Sequence, residues 1–285
     1  YRDGQGVEKD IQKAVALFTL AATKENSFAA FALGKLYLAG DAALPRDPAA
    51  ALKWLTYAAE LGNQFAQYRL GKLLLKGDDG IPKDVITAIR WLTAAAKQEN
   101  GYAEYALALV YLTGEDAPKD SVKALSLLKR SAGRGNQFAQ YRLGKLLLQG
   151  EDAPKDVKAA IRWLTAAAEQ GNQYAQYALG KLYLLGKEVP KDRSSAIKWF
   201  QLAADQGNEY AQYFLKHMDD RLGQPPVAAV ISLFHHLANI FQEQNQPPPS
   251  GGVRVAVDRK LLRKIKAKKI AQGHKADDHE PEMQL

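Results

Sequence analysis

Two amphipathic patterns alternate along this chain, and both have helical periodicity. In the first, Ala66, Leu70, Leu73 and Leu74 stand three and four residues apart behind Asn63, which places them on one face of a helix A. In the second, Ala88, Trp91, Ala95 and Ala96 follow Asp84 at similar spacing and predict a helix B. Asn26, Asn63, Asn100, Asn136, Asn172 and Asn208 share one register. An asparagine oxygen accepts an orphan backbone N–H, so each marks the start of a helix A. Gly40, Gly77, Gly114, Gly150 and Gly186 are the predicted ends, since a residue without Cβ takes the left-handed conformation that closes a helix. Pro-Lys-Asp at Pro82, Pro118, Pro154 and Pro190, with Pro45-Arg46-Asp47 as a variant, announces helix B. The aspartate caps it and opposes the positive end of its dipole, and Pro48 suits a first helical turn. Trp54, Leu127, Trp163 and Trp199 match Trp91, and helix B closes at Gly62, Gly135, Gly171 or Gly207.

The pairs are copies of one unit. Residues 62–75 recur letter for letter at 135–148, and residues 88–96 at 160–168, within a basic period of 36 or 37. Five full copies run from Asn26 to Gly207. A half copy opens the chain (Gly4, Lys9, Asp10, Ala14) and another closes the series (Asn208, Ala211, Tyr213). Gly34, Gly71, Gly144 and Gly180 recur inside helix A, with Ala108 in their place once. Glycine there costs about 1 kcal/mol against alanine, so its retention implies that another backbone passes close by. Single hairpins cannot bury their faces alone, whereas stacked ones share an elongated core. The expected fold is all-α, an α-α superhelix.

The sequence Ala-x-x-x-Leu-Gly-x-x-x-x-x-Gly, then Pro-Lys-Asp, then Ala-x-x-Trp and Ala-Ala-x-x-Gly-Asn resembles the Sel-one-like repeat, a branch of the tetratricopeptide-like superfamily, over residues 1–218. That resemblance implies a binding scaffold for other proteins, without a catalytic centre, in which helix A lines a concave groove. A second likeness is to the C-terminal region of Mob-type relaxases, which nick and transfer DNA of conjugative elements in Gram-positive bacteria. It rests on Leu261-Leu262-Arg263-Lys264 and residues 268–278 behind the repeats. It implies a bacterial DNA-mobilisation protein whose nicking domain lies upstream of Tyr1, and it agrees with a chain that does not begin with methionine. No catalytic residue is carried over.

On the helix A face opposite Ala66 and Leu70, stacking aligns Phe31, Tyr68, Tyr105, Tyr141, Tyr177 and Tyr213 beside Lys35, Lys72, Lys145 and Lys181, with Leu109 interrupting the lysines. Tyr68, Lys72, Tyr105, Tyr141, Lys145, Tyr177 and Lys181 are the candidate partner-binding residues. Aromatic rings and cations suit an extended acidic or amphipathic peptide. The competing structural reading packs the tyrosines between successive A helices and leaves the lysines solvated.

Beyond the repeats the character changes. Residues 219–244 carry an apolar stripe (Val227, Val230, Ile231, Phe234, Leu237, Ile240, Phe241) and are expected to form a capping helix, with a dimer contact as the rival reading. Residues 245–252 have the proline and glycine content of a linker. The net charge is +8, but residues 253–272 hold +7 and residues 273–285 hold −3, leaving +4 for the rest. A basic helix with Arg259, Lys260, Arg263, Lys264, Lys266, Lys268 and Lys269 is a candidate phosphate-backbone contact. It lacks interleaved aromatics for base stacking.

The remaining chemistry is thin. Gly77-Asp78-Asp79-Gly80 lacks the alternating ligands and distal glutamate of a calcium loop. His235 and His236 point about 100° apart on a helix. His274, Asp277, Asp278 and His279 lie in a tail whose ordering would oppose metal binding. No metal, cofactor or small-molecule substrate is expected, and nothing reads as an enzyme. The chain has no cysteine, which suits a reducing compartment, and a cytoplasmic location is expected. No apolar run approaches the roughly 18 to 20 residues that span a bilayer.

Overall fold

The structure is a computed structural model and describes residues 1–2, 6–77 and 80–217, all within one unit, Tyr1–Gln224. The capping helix, linker, basic helix and acidic tail expected at 219–285 lie outside the described residues. Twelve helices follow one another among those described. The B type comprises α1 (Ile11–Ala22), α3 (Pro48–Glu60), α5 (Val85–Lys97), α7 (Ser121–Gly133), α9 (Val157–Glu169) and α11 (Arg193–Asp205). The A type comprises α2 (Ser27–Ala39), α4 (Gln64–Lys76), α6 (Gly101–Thr113), α8 (Gln137–Gln149), α10 (Gln173–Leu185) and α12 (Glu209–His217). The A helices α2, α4, α6, α8 and α10 each pack most extensively on the B helix that follows, and next on the B helix before. This is an all-α repeat superhelix, as the periodicity predicts.

The caps are those the sequence names. Asn63 Oδ1 accepts from the backbone N–H of Phe65 and Ala66, and Asn172 Oδ1 from that of Ala175. Asp10, Asp47, Asp84, Asp120, Asp156 and Asp192 each cap a B helix, all but Asp120 in extended backbone. The closing glycine of α4, Gly77, has φ 64°, and Gly171 after α9 has φ 88°. Two B helices end without glycine: Glu25 (φ 61°) and Glu99 (φ 65°) hold the same left-handed position.

The helix-interior glycines do face a close approach, but its source is chiefly a side chain. A Cβ on Gly71 would lie 2.6 Å from Leu92 Cγ, with the Ala88 carbonyl oxygen behind at 3.0 Å. Leu92 and its counterparts Leu55, Leu128, Leu164 and Phe200 are the largest apolar side chains wholly buried on the B helices. The neighbouring Trp54, Trp91, Trp163 and Trp199 are only half-buried. The B-helix pattern therefore centres one residue later than the tryptophans suggest.

Two polar ladders tie the repeats together. In the first, an A-helix glutamine spans two B helices. Gln67 Nε2 donates to the Ala59 carbonyl at 3.0 Å, and Gln98 Nε2 donates to Gln67 Oε1 at 2.8 Å. Gln140 with Gln170 and Gln176 with Gln206 repeat the pairing. In α6 the glutamine is replaced by Glu104, wholly buried, and the incoming residue by Arg134. Arg130 Nη2 pairs with Glu104 at 2.6 Å and also donates to the Ala96 carbonyl at 3.3 Å, the acceptor that a glutamine would have served. The second ladder runs through the loops, where Lys83 meets Asp116, Lys119 meets Asp152, and Lys155 meets Glu188. In these three copies the lysine of Pro-Lys-Asp thus bridges to the next repeat, and its partners are acids that follow α6, α8 and α10.

Candidate protein-interaction face

Helix A buries Ala66, Leu70, Gly71 and Leu74 against the B layer. Its other face is a stripe at three- and four-residue intervals: Phe65, Tyr68, Arg69, Lys72 and Lys76. Of the candidate residues, Tyr68, Tyr105, Tyr141 and Tyr177 are half-buried in that stripe. Each packs against a ring of the next A helix: Tyr68 on Tyr102 (centroids 5.9 Å apart), Tyr105 on Phe138 (6.3 Å), Tyr141 on Tyr174 (6.1 Å) and Tyr177 on Tyr210 (6.0 Å). Phe31 meets Phe65 in the same way, at 6.4 Å. The expected aromatic row therefore helps join A helix to A helix.

The partners in these pairs form a second row that the sequence reading did not single out. Phe28, Phe65, Tyr102, Phe138 and Tyr174 are 40% to 66% exposed. The signal was present, since the second residue after each capping asparagine is aromatic in every copy. Large rings left in solvent in a repeating line are unusual for a protein surface. Burial pushes the hydroxyls of Tyr68, Tyr105, Tyr141 and Tyr177 above their ordinary range.

The lysines divide. Lys72 is exposed, whereas Lys145 and Lys181 are half-buried. Burial pushes both ammonium groups down, and Arg142 adds to the effect at Lys145, as Lys145 and Lys187 do at Lys181. Arg142 carries a buried Nε without a hydrogen-bond partner among the described residues. Lys35 stands 5.7 Å from the centroid of the Phe31 ring. On helices α2, α4, α6, α8 and α10 the only acid is Glu104, which is wholly buried and turned to the arginines of α7. The exposed A face of these helices is thus free of acids and carries aromatic rings on each, with cations on α2, α4, α8 and α10 but none on α6. Arg259, Lys260, Arg263, Lys264, Lys266, Lys268 and Lys269, and the histidines and acids of the tail, lie outside the described residues. Among those described, no group of three or more His, Asp or Glu side chains could hold a metal ion. None of the described helices is long and apolar enough to cross a membrane.

A family model described as the Sel1 repeat matches residues 1–26, 27–63, 64–100, 101–136, 137–172 and 173–208. Among solved structures, the chain is similar to a protective antigen of uropathogenic Escherichia coli strains that displays an SLR fold. The two share 34% identity with a TM-score of 0.69, over 79% of this chain and 48% of that one. It is also similar to a Sel1 repeat protein from Oxalobacter formigenes, at 34% identity and TM-score 0.70, over 77% of this chain and 63% of that one. The chain therefore spans about half of the first relative and under two thirds of the second. No curated protein matches it.

Proposed function

This chain belongs to the Sel1 repeat family, and on that premise we propose that its repeats form a non-catalytic docking scaffold whose A-helix face takes a protein or peptide partner. Proteins of the family generally serve as protein-interaction scaffolds and are generally non-catalytic. The observation that carries the reading here is the acid-free exposed face of the A helices α2, α4, α6, α8 and α10, with its line of solvent-facing rings. Rings and cations of this kind supply most of the energy in protein interfaces. The test places a photo-crosslinking amino acid at Phe65 and Phe138 on the A face, and at Ile86 on the B face as a control. A partner should couple to the first two and not the third, and Lys72→Glu with Lys145→Glu should abolish the coupling. Equal capture at Ile86, or indifference to the charge reversals, would remove the A-face assignment.

We further propose that the chain is the C-terminal part of a DNA-mobilisation protein of the relaxase type. Support comes from the likeness of residues 261–264 and 268–278. The coding sequence upstream of Tyr1 should then encode a nicking domain with a tyrosine and a histidine metal cluster. A second reading, a nucleic-acid-binding accessory protein, is favoured by one observation, the charge of +7 within residues 253–272. It requires DNA retention that falls steeply as salt rises and is lost on deleting residues 253–285.

A further inference from the structure

The cations of the A face are not evenly spread. Helices α4 and α8 are identical over their first twelve residues, so the same face appears twice, two repeats apart. Each presents an arginine, Arg69 or Arg142, and a lysine, Lys72 or Lys145, in one stripe. On α6, between them, the corresponding positions are Ala106 and Leu109, beside the exposed ring of Tyr102. The acid of α6, Glu104, is spent on Arg130 and Arg134 and does not reach this face. Two cationic stations therefore flank an uncharged aromatic and aliphatic gap. At the second station, Arg142 holds a buried Nε with no hydrogen-bond partner among the described residues.

We propose that the A face takes an extended acidic peptide bearing two carboxylate clusters, one seated on Arg69 and Lys72 and the other on Arg142 and Lys145, with an apolar stretch between them lying across α6. The inference rests on the A-face docking reading and specifies its ligand. Successive A helices meet through their rings, and a helix with its side chains is roughly 10–12 Å across, so two steps from α4 to α8 cover on the order of 20 Å. An extended chain rises about 3.3–3.6 Å per residue, which sets about six residues between the clusters. Guanidinium groups pair with carboxylates bidentately, so each station has one strong and one supporting contact. A uniform polyanion is a poorer match, because its regular phosphates would cross Leu109 with no cation to meet them. Joining two weak sites through one ligand multiplies affinity only when the spacer fits the span. The peptide should therefore be read by spacing as well as by charge.

The test uses the full chain and fluorescence anisotropy with three labelled synthetic peptides of equal composition. Each has two Asp-Asp-Glu clusters, separated by six residues that include Leu and Phe, separated by two, or contiguous with the spacer moved to one end. The six-residue form should bind at least about tenfold more tightly than the other two. Arg69→Gln with Lys72→Gln, or Arg142→Gln with Lys145→Gln, should each bring it down to their level. Leu109→Lys should erase the difference between the three peptides while retaining affinity, an outcome that misfolding cannot mimic. Equal binding of the three peptides by the unaltered chain would overturn the proposal. So would tighter binding of a labelled oligothymidylate that is lost in both station variants, or self-association lost in the same variants. If no peptide binds while a partner still cross-links at Phe138, the spaced-charge ligand fails and the docking reading stands. If both signals are absent, both fail.

Discussion

At the scale of single residues, the ends of the helices were legible because a cap depends on its own neighbourhood. An Asn or Asp oxygen reaches an N–H two or three residues ahead, and no distant contact is needed to see it. The exceptions are equally local. Glu25 holds a left-handed backbone at φ 61° where four other copies place glycine, and a side chain with a Cβ pays about 1 kcal/mol or more for that conformation. We expect Glu25→Gly to stabilise the chain by roughly 1 kcal/mol, seen as a higher midpoint in chemical denaturation. The same change at Glu99 should yield less, because Glu99 also pairs with Arg134 at 2.9 Å. Gly71 argues the other way. Alanine would gain up to about 1 kcal/mol of helix propensity, yet its methyl would drive into Leu92 Cγ at 2.6 Å. Overpacking costs about 1–3 kcal/mol, so Gly71→Ala should lower stability by about 1–2 kcal/mol. A neutral result would mean that Leu92 can turn aside. What a single copy could not reveal was the identity of that obstacle, since the tryptophans drew attention to the neighbouring position.

Between elements, the polar contacts are coupled substitutions visible only once helices are paired. Glu104, Arg130 and Arg134 stand where neighbouring copies have a glutamine, an alanine and a glutamine, as in Gln67, Ala94 and Gln98. The half-exposed arginines balance a wholly buried carboxylate. Removing both with Arg130→Ala and Arg134→Ala should destabilise the chain by about 3–5 kcal/mol, because it strands the buried charge. Adding Glu104→Gln and choosing Arg134→Gln in place of Arg134→Ala rebuilds the neighbours' pairing and should recover most of the loss. Failure to recover would show that α6 and α7 are spaced differently from the other junctions. The ring ladder between A helices has its own signature, in pH. Tyr68, Tyr105, Tyr141 and Tyr177 are raised by burial above the ordinary 10.0. Their contribution is present in full below pH 10 and is lost as pH climbs through their folded values, because the unfolded chain releases those protons first. Lys145 and Lys181 act oppositely, since burial lowers them from 10.5 and stability gains as pH rises toward that value. With four tyrosines against two lysines, thermal melts should show the midpoint falling above pH 10. Tyr105→Phe with Tyr141→Phe should flatten the decline.

For the repeat unit as a whole, the architecture was readable from one sequence because a solenoid asks each segment to contact only its neighbours. Period, caps and small residues then suffice. The proposed docking face was half readable: the first aromatic row follows from the periodicity of a single helix A, but the row that faces solvent has meaning only beside the ring of the preceding copy. Nearest-neighbour stacking also governs stability, which should be uneven along the chain. Leu55, Leu92, Leu128, Leu164 and Phe200 are wholly buried, while Phe18, at the same position of α1, is only half-buried and Leu17 and Leu20 are exposed. Helix α1 thus contacts a neighbour on one side, and the loop pair Lys9 with Asp41, at 2.8 Å, adds little because both groups are exposed to solvent. Hydrogen exchange of the 285-residue chain should show α1 opening first, with protection rising toward α5 and α8, where both sides are covered. Raised salt should narrow the contrast slightly, because most of the screened loop pairs lie in the central and later repeats. Uniform protection from α1 to α8 would mean that the repeats unfold as a single block, and the additive account of their stability would have to be abandoned.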